Sequence, residues 1–453
     1  MVKRLLLAGL AAAAPTLALI QPAPAQPRNT DDITKVVAQA AISTSIEDVT
    51  QNVQDQIDAY LDKSGLRARA DRHEIEILSA ISAVQVPSTN RDWVMQRSAA
   101  YDDALLKAEA DYVKEQGLRI TDDETTRMFK AAGQEPPPYD NGRAPGKTAE
   151  LIRKVIALAN GKLDGQLRAI GVDPAEYNDA PEPQRYLQLQ NALKRQTARQ
   201  AIGELTGLVT AQTFEGQDGK GNYVIGVVAV VSPTMKDFAR DVLTAHGEIA
   251  PDPERAQDLS RLYADRKQLI PEFGVRRLFD SEGLPVLVSF AQWASGYAGS
   301  DPTMADQYRQ VAMEQAEARA DAQIAQFLKG SMMADSQSET GRAIEKAAER
   351  LPDGYVQDDA ATKTVTDGML STLRSHAQVQ VTGIQTLHRW SEKHPLTGQQ
   401  IVGVIRIWSA AGEKAVRQLR DRHGPTASAP APEQLNGPPS VTQGRTLMNA
   451  SDF

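Results

Sequence analysis

Apolar and polar positions along the chain fall into segments of two distinct periods. His73–Val86 (HEIEILSAISAVQV) and Leu284–Ala294 (LPVLVSFAQWA) are runs of β-branched and apolar residues that predict strands. Each leads into an Ala-rich helix, Trp93–Gln116 and Met304–Lys329. In these, Ala100, Ala104 and Ala108, and again Ala312, Ala316 and Ala320, recur every four residues and form one ridge. Small residues on such a ridge let a helix lie close to its sheet, which is a packing signal. A second helix is expected at Gln184–Glu204 and at Asp359–His376. After it come two strands joined by turn-rich loops (GQDGKGN after Glu215, SEKHPLTGQ after Trp390) and a closing helix, Thr234–Ala245 or Ala410–His423. Ile33–Leu61 differs: Ile42, Ile46, Val49, Val53 and Tyr60 step by near three and four, with Ile57 slipping by one, as in an amphipathic helix with a coiled-coil tendency.

The order of these segments repeats. Leu205–Thr210 (LTGLVT) reappears as Val381–Thr386 (VTGIQT), and Phe214 answers Trp390 at the same offset. Val224–Val230 (VIGVVAV) pairs with Ile401–Ile407 (IVGVIRI) at an offset longer by one position. Upstream, the two alanine ridges stand farther apart than the hairpins do, and so do Ser79 and Ser289. The fall in the offset implies an insertion of about 34 residues in the first copy, placed at residues 130–182 where Pro, Gly and Asp cluster. Two copies of one module follow, at 70–247 and 275–423, joined by a charged helical linker at 248–274 and preceded by an amphipathic helix within 26–69. Hairpins with segregated helices make the expected class α+β: two copies of a small, three-stranded antiparallel sheet covered by helices.

The ends carry other signals. Lys3 and Arg4, an apolar run from Leu5 to Ile20 and Ala23-Pro24-Ala25 form a secretory signal peptide over residues 1–25, too short in its apolar part to span a bilayer. This implies export to a bacterial periplasm or beyond. No later run is as apolar, so no integral membrane segment is expected after its removal. Residues 424–453, rich in Pro, Ala, Ser and Gly, predict a disordered tail, whose final Asp452-Phe453 has the acidic and aromatic character that a partner's groove could capture. Of 453 residues, 50 are Lys or Arg, 58 are Asp or Glu and none is Cys, which excludes disulfides, thiolate metal sites and lipid attachment at cysteine. A net charge of −8 without any long basic block excludes a nucleic-acid footprint.

The pattern of a strand followed by Trp93-Val94-Met95-Gln96-Arg97 and the run Ala100–Ala110, with Arg319–Gly330 in the second copy, resembles an uncharacterised domain family of exported bacterial proteins (DUF6844-like). It is also similar to the LPP20-type envelope lipoproteins. The resemblance spans about residues 70–423 and implies an envelope protein with no catalytic residues to carry over. This chain departs from the lipoproteins in lacking the lipid-bearing cysteine.

Candidate chemistry is sparse. Gly142–Thr148 (GRAPGKT) has three residues where a P-loop needs four before Gly-Lys-Thr, and it reads as a loop. Asp218–Asn222 lacks the alternating carboxylates of a calcium loop and reads as a hairpin turn. None of the six histidines forms an H-x-x-x-H pair; His376 and His388 bracket one expected strand with His394 in the following loop, and they read as satisfied or exposed side chains, with convergence on a metal as the alternative. No catalytic, cofactor-binding or metal-ligating residue is assigned, and no cofactor is expected. The function expected is a non-catalytic structural or interaction protein of the bacterial cell envelope, which binds an envelope partner or associates with itself. Its candidate interaction residues are Ile42, Ile46, Val49, Val53, Tyr60 and Phe453. The alternative is a periplasmic enzyme or small-molecule binder using the cleft between the modules.

Overall fold

The computed structural model describes residues 46–136, 147–158, 162–218, 220–244, 248–297, 299–332, 346–349, 366, 368, 370, 381–423 and 448–453. Residues 1–25, where a signal peptide is expected, Ile42, the GRAPG run at 142–146, His376, most of the helix expected at Asp359–His376 and residues 424–447 of the expected tail lie outside them.

The first sheet has strands β1 (Glu76–Ala83), β2 (Val209–Gln217) and β3 (Tyr223–Val231), in the order β1-β3-β2 and antiparallel throughout. The second has β4 (Gly274–Phe279), β5 (Pro285–Ala294), β6 (Ile384–Lys393) and β7 (Gln400–Ser409), in the order β4-β5-β7-β6, also antiparallel. Helix α1 (Ile46–Ser64) is followed by the short α2 (Leu66–Asp71), and α3 (Trp93–Ala131) follows β1. Helices α4 (Lys147–Ile156), α5 (Asp164–Ala169), α6 (Pro174–Asp179) and α7 (Glu182–Gly203) precede the first hairpin, and α8 (Pro233–Thr244) closes the copy. The second copy adds α9 (Pro302–Met332) after β5 and α10 (Ala410–His423) after β7. The class is α+β as expected, with two small antiparallel sheets covered by helices.

The duplication holds in register where the hairpins are concerned. Gly226 pairs across the sheet with Phe214, and Gly403 with Trp390. The strand irregularity between Thr210 and Gln212 recurs at the matching place between Thr386 and His388. Gly207 and Gly383 both adopt positive φ, 76° and 92°, and a Cβ on either would strike the backbone of the next helix, at Met235 or Glu413. For β1 and β5, Ile81 and Gln292 face Gly226 and Gly403, so Ser79 is matched in register by Phe290 rather than by Ser289. The insertion in the first copy folds as helices α4–α6, which share a small core of their own with Met128, Phe129, Leu189 and Leu193.

Three expectations need correction. The charged linker is not one helix but three single 3₁₀ turns, Pro253–Arg255, Leu259–Tyr263 and Arg266–Leu269. Asp258 and Asp265 accept from the backbone N–H groups of Ser260 and Lys267 two residues on, a local bond that competes with helix continuation. The second sheet has four strands, because β4 lies inside the span read as linker and module start. The amphipathic stripe of α1 does not face outward: Val49, Val53 and Ile57 are at most 1% exposed and Tyr60 is 8% exposed, all packed on the first sheet, where Ile46 also leans. Val53 and Ile57 occupy the space a side chain at Gly226 would need, and Val53 and Val49 that at Gly216. The two copies therefore share one core, and the described residues belong to a single compact unit.

These glycines give a direct test. Gly226→Ala places a Cβ 2.6 Å from Val53 Cγ1 and is expected to cost about 1–3 kcal/mol in urea unfolding. Adding Val53→Ala should recover part of that loss, a non-additivity visible in a double-mutant cycle. Gly383→Ala meets main chain at Glu413 2.6 Å away and should cost as much, with no side-chain truncation able to relieve it.

Candidate functional site

The face of each sheet that carries the central glycine needs a cover. On the first sheet α1 supplies it. On the second, Gly403 is filled by the indole of Trp390, and the rest of the face, with Gln292 paired opposite Gly403, is covered by residues 263–273 of the linker. Tyr263 stacks on His388 of β6 with ring centroids 4.4 Å apart. His388 is shifted down from the usual histidine range, first by burial and then by Arg266.

A covering segment that is neither helix nor strand carries main-chain carbonyls into the interior, where each requires a donor. Gln292, 1% exposed, donates its amide to the carbonyls of Leu269, Ile270 and Glu272 at 3.0, 2.7 and 2.8 Å. Arg97, at the start of α3 and 0% exposed, donates to Ile270 O at 2.6 Å, to Gln292 Oε1 at 2.9 Å and to the carboxylate of Glu215. Thr213 donates to Pro271 O, and Arg276 donates to Phe273 O at 2.7 Å while pairing with Glu272 at 3.2 Å. Rings close the cluster: Tyr101 stacks on Phe273, and its hydroxyl bonds Thr210 at 2.9 Å. Burial pushes Tyr101 up to about 12, and burial with the Glu215 charge raises Tyr223 well above the ordinary phenol range, so both stay protonated. The hairpin loop of the second copy inserts His394, 2% exposed, against Trp93 and Tyr223 of the first. Beside this junction, Tyr101, Thr210, Gly274, Gln323 and Gln326 help line a cavity of about 20 Å³, room for about one water. The junction is thus a clamp: its charges and amides hold the linker between the copies.

A second constellation lies where the last described residues dock. Met448 and Phe453 are 1% and 3% exposed and join the main core. Between them Ala450–Asp452 form a 3₁₀ turn, closed by Asp452 accepting from the Asn449 N–H at 2.5 Å. Arg69 of α2 donates to the carbonyl oxygens of Ala450 and Phe453, while Glu74 holds its Nε at 2.8 Å. Arg255 of the first linker turn pairs with Asp452 and stacks its guanidinium 4.2 Å over Phe279 of β4. Arg277 lies over the same ring at 4.9 Å, its Nε and Nη1 buried and without a hydrogen-bond partner among the described residues. Burial, then the neighbouring Arg255, brings Arg277 down to about 10.

Among the candidate interaction residues, Ile46, Val49, Val53 and Tyr60 thus belong to internal packing, and Ile42 lies outside the described residues. Phe453 is captured, but by this chain itself, so the expected disordered tail gives way at residues 448–453 to a docked turn. Asp218 closes its own loop, accepting from Lys220 N and Asn222 N at 2.8 Å. No group of three or more His, Asp or Glu placed to hold a metal occurs among the described residues. No helix among them is long and apolar enough to cross a membrane. Arg97 stood inside the Trp93–Arg97 motif, but nothing in its sequence context marks it as buried.

Residues 148–244, from the start of α4 to the end of α8, match the model of a domain of unknown function, DUF6844. A crystal structure of a hypothetical protein, FTT1539c, from Francisella tularensis is similar to this chain at 22% identity with a TM-score of 0.51, covering 83% of this chain and 98% of that one. At that identity the likeness concerns the fold alone. No curated protein gives a match.

The clamp makes two predictions. Arg97→Leu leaves the Glu215 carboxylate without its charged partner and the Ile270 carbonyl with Gln292 as its one remaining donor, and should cost about 3–5 kcal/mol in urea unfolding, with Arg97→Lys intermediate because an ammonium cannot span the same fork. His394 is held down to about 3 by burial and then by Arg97, against 6.5 when unfolded. The unfolded chain therefore takes up a proton below pH 6.5 that the folded chain refuses. Its contribution is complete above that pH and is lost as pH falls toward 3. Between about pH 6.5 and about pH 5 the loss should be about 2 kcal/mol. His394→Phe, which keeps the ring beside Trp93, should be less sensitive than the native chain over the same window.

Proposed function

We propose that this chain is an exported, non-catalytic structural or interaction protein of the bacterial cell envelope. One observation carries the reading: the seat formed by Arg69, Arg255 and Phe279 holds a short peptide turn through two apolar anchors, one ion pair and bonds to main-chain oxygens. That combination is how peptide-recognition surfaces work, with main-chain bonds and charge fixing position while buried side chains supply affinity. The clamp supports the same reading, because its buried charges are engaged in joining the two copies. The signal-peptide pattern of residues 1–25 supports export, and the resemblance to envelope lipoproteins supports the envelope as its place.

The test is capture of partners by the chain from Gln26 onward, immobilised in envelope extract and eluted by salt. A specific envelope protein retained in stoichiometric amount, and lost on Arg255→Glu, is the expected result. Retention of nothing above an unrelated acidic control protein would refute the interaction reading. N-terminal sequencing of the protein expressed in a bacterial host checks export: material starting at Gln26 is expected, and full-length protein in the cytoplasm would refute it.

A further inference from the structure

We propose that the outer edge of β1 is a self-association surface, at which two copies of this chain join their first sheets through an antiparallel pair of β1 strands. The proposal goes beyond the interaction reading above and uses none of the residues of the seat at 448–453. Val84 N donates to Tyr223 O at 2.8 Å, which fixes the alternation of the β1–β3 ladder. Leu78, Ala80 and Ser82 turn their main-chain groups toward β3, and Ile77, Ser79 and Ile81 turn theirs outward. Among the described residues no strand pairs with that side. The duplication shows what the same edge does when it is used. With Ile81 facing Gly226 as Gln292 faces Gly403, β1 corresponds to β5, and β5 carries β4 on this edge, Gly274 opposite Phe290 and Arg276 opposite Val288. Phe290 is buried there, whereas its counterpart Ser79 is exposed. An open edge is ordinarily blunted by charge, proline or a bulge. β6, the far edge of the second sheet, has an irregularity and carries Arg389, Glu392 and Lys393. From Ile77 to Ala83, β1 has none of these, and its register is unbroken.

A second copy is the occupant because the edge is self-complementary. Two identical strands meeting antiparallel are related by a twofold axis, so each residue must suit the one that symmetry sets opposite it. The outward residues read Ile77, Ser79, Ile81, the same in both directions. With the axis at Ser79, Ile77 of each copy faces Ile81 of the other, and the two Ser79 face one another. These side chains lie on the face that carries Gly226, where α1 fills the space over β2 and β3 and Ile77 and Ile81 are left half-buried. Pairing covers them and gives the outward main-chain groups partners. On the opposite face Leu78 meets Ala80, and Glu76 meets Ser82. Glu76 has Arg119 at 3.7 Å, and Asp103 beside Ser82 has Lys107 at 2.8 Å, so each carboxylate at the seam brings its own cation. Two three-stranded sheets become one continuous sheet.

The test uses the chain from Gln26 onward in analytical ultracentrifugation, with circular dichroism and urea unfolding to confirm that each variant is folded. A concentration-dependent dimer is expected. Ser79→Lys and Ser79→Glu alter an exposed side chain and set like charges across the axis. Each should weaken the dimer at least tenfold, and their equimolar mixture should recover it as a heterodimer. Since the chain has no cysteine, Ser79→Cys gives a single thiol. Across the axis the two Cα atoms stand about 5.5 Å apart, within disulfide reach. Air oxidation should cross-link this variant and leave Thr303→Cys, exposed on α9, as monomer. A chain that stays monomeric at about 0.1 mM, where a micromolar dimer is nearly complete, overturns the assignment. So does a dimer that both charged variants retain, or one that their mixture fails to recover. Envelope capture by a monomeric chain that is lost on Ser79→Lys would make the occupant a foreign strand and overturn the second copy. Capture lost on Arg255→Glu in a chain that stays monomeric would overturn this edge while leaving the interaction reading standing.

Discussion

Buried main-chain carbonyls outside helices and strands are the constraint on which this fold turns. Residues 270–273 run between the two sheets as irregular chain beyond the last 3₁₀ turn, and the carbonyls they carry inward take their donors from side chains. Arg97, Gln292, Thr213 and Arg276 provide those donors from α3, β5, β2 and β4, so both copies contribute to holding one strip of linker. Replacing the strip by an ordinary helix would remove the need for these groups. It would also remove the bonds through which the first copy grips the second.

The strip explains why a duplicated module could become one body. Each sheet has a glycine-centred face that must be kept from water. In the first copy the apolar stripe of α1 does this, with Val53 and Ile57 set into the space beside Gly226. In the second copy no such helix covers the described face; Trp390 enlarges the place held by Phe214 and fills the space at Gly403, and the linker lies over the remainder. The hairpin loops diverged in the same sense. Asp218 folds its loop back on itself, whereas His394, its counterpart in the second hairpin, reaches across to Trp93 and Tyr223.

What could be read from the sequence was the part fixed by local rules. The matched glycines, the Phe214–Trp390 correspondence and the alanine ridges each come from periodicity or backbone sterics; the first two reappear in register, and the alanines of both ridges are buried. What could not be read depends on tertiary surroundings. Arg97 and its counterpart Arg309, each just ahead of an alanine ridge, look alike in sequence. Yet Arg97 is fully buried, while Arg309 is 41% exposed in its side chain and pairs with Asp306 on the surface. β4 was hidden because Arg276 and Arg277 at its centre read as polar, and the linker turns because three aspartates among charged residues resemble a solvated helix. The α1 stripe announced burial but not against what. Phe453 announced recognition, and the recognising surface proved to be in the same chain.

This division points to where the chain's particular chemistry resides. The repeated strands and helices serve both copies alike and are accounted for by packing. Arg69 precedes the first copy, Arg255 lies in the linker between them, and Asp452 and Phe453 follow the second. Only the copies' relative placement brings these segments together, since Phe279 of β4 supports Arg255 and the core that admits Phe453 belongs to both halves. The clamp at residues 269–273 is therefore a condition of the peptide seat as well as of the fold. A scaffold of two similar halves has fixed three unrelated segments at one place, and it has done so with side chains bonded to the protein's own backbone and to one another.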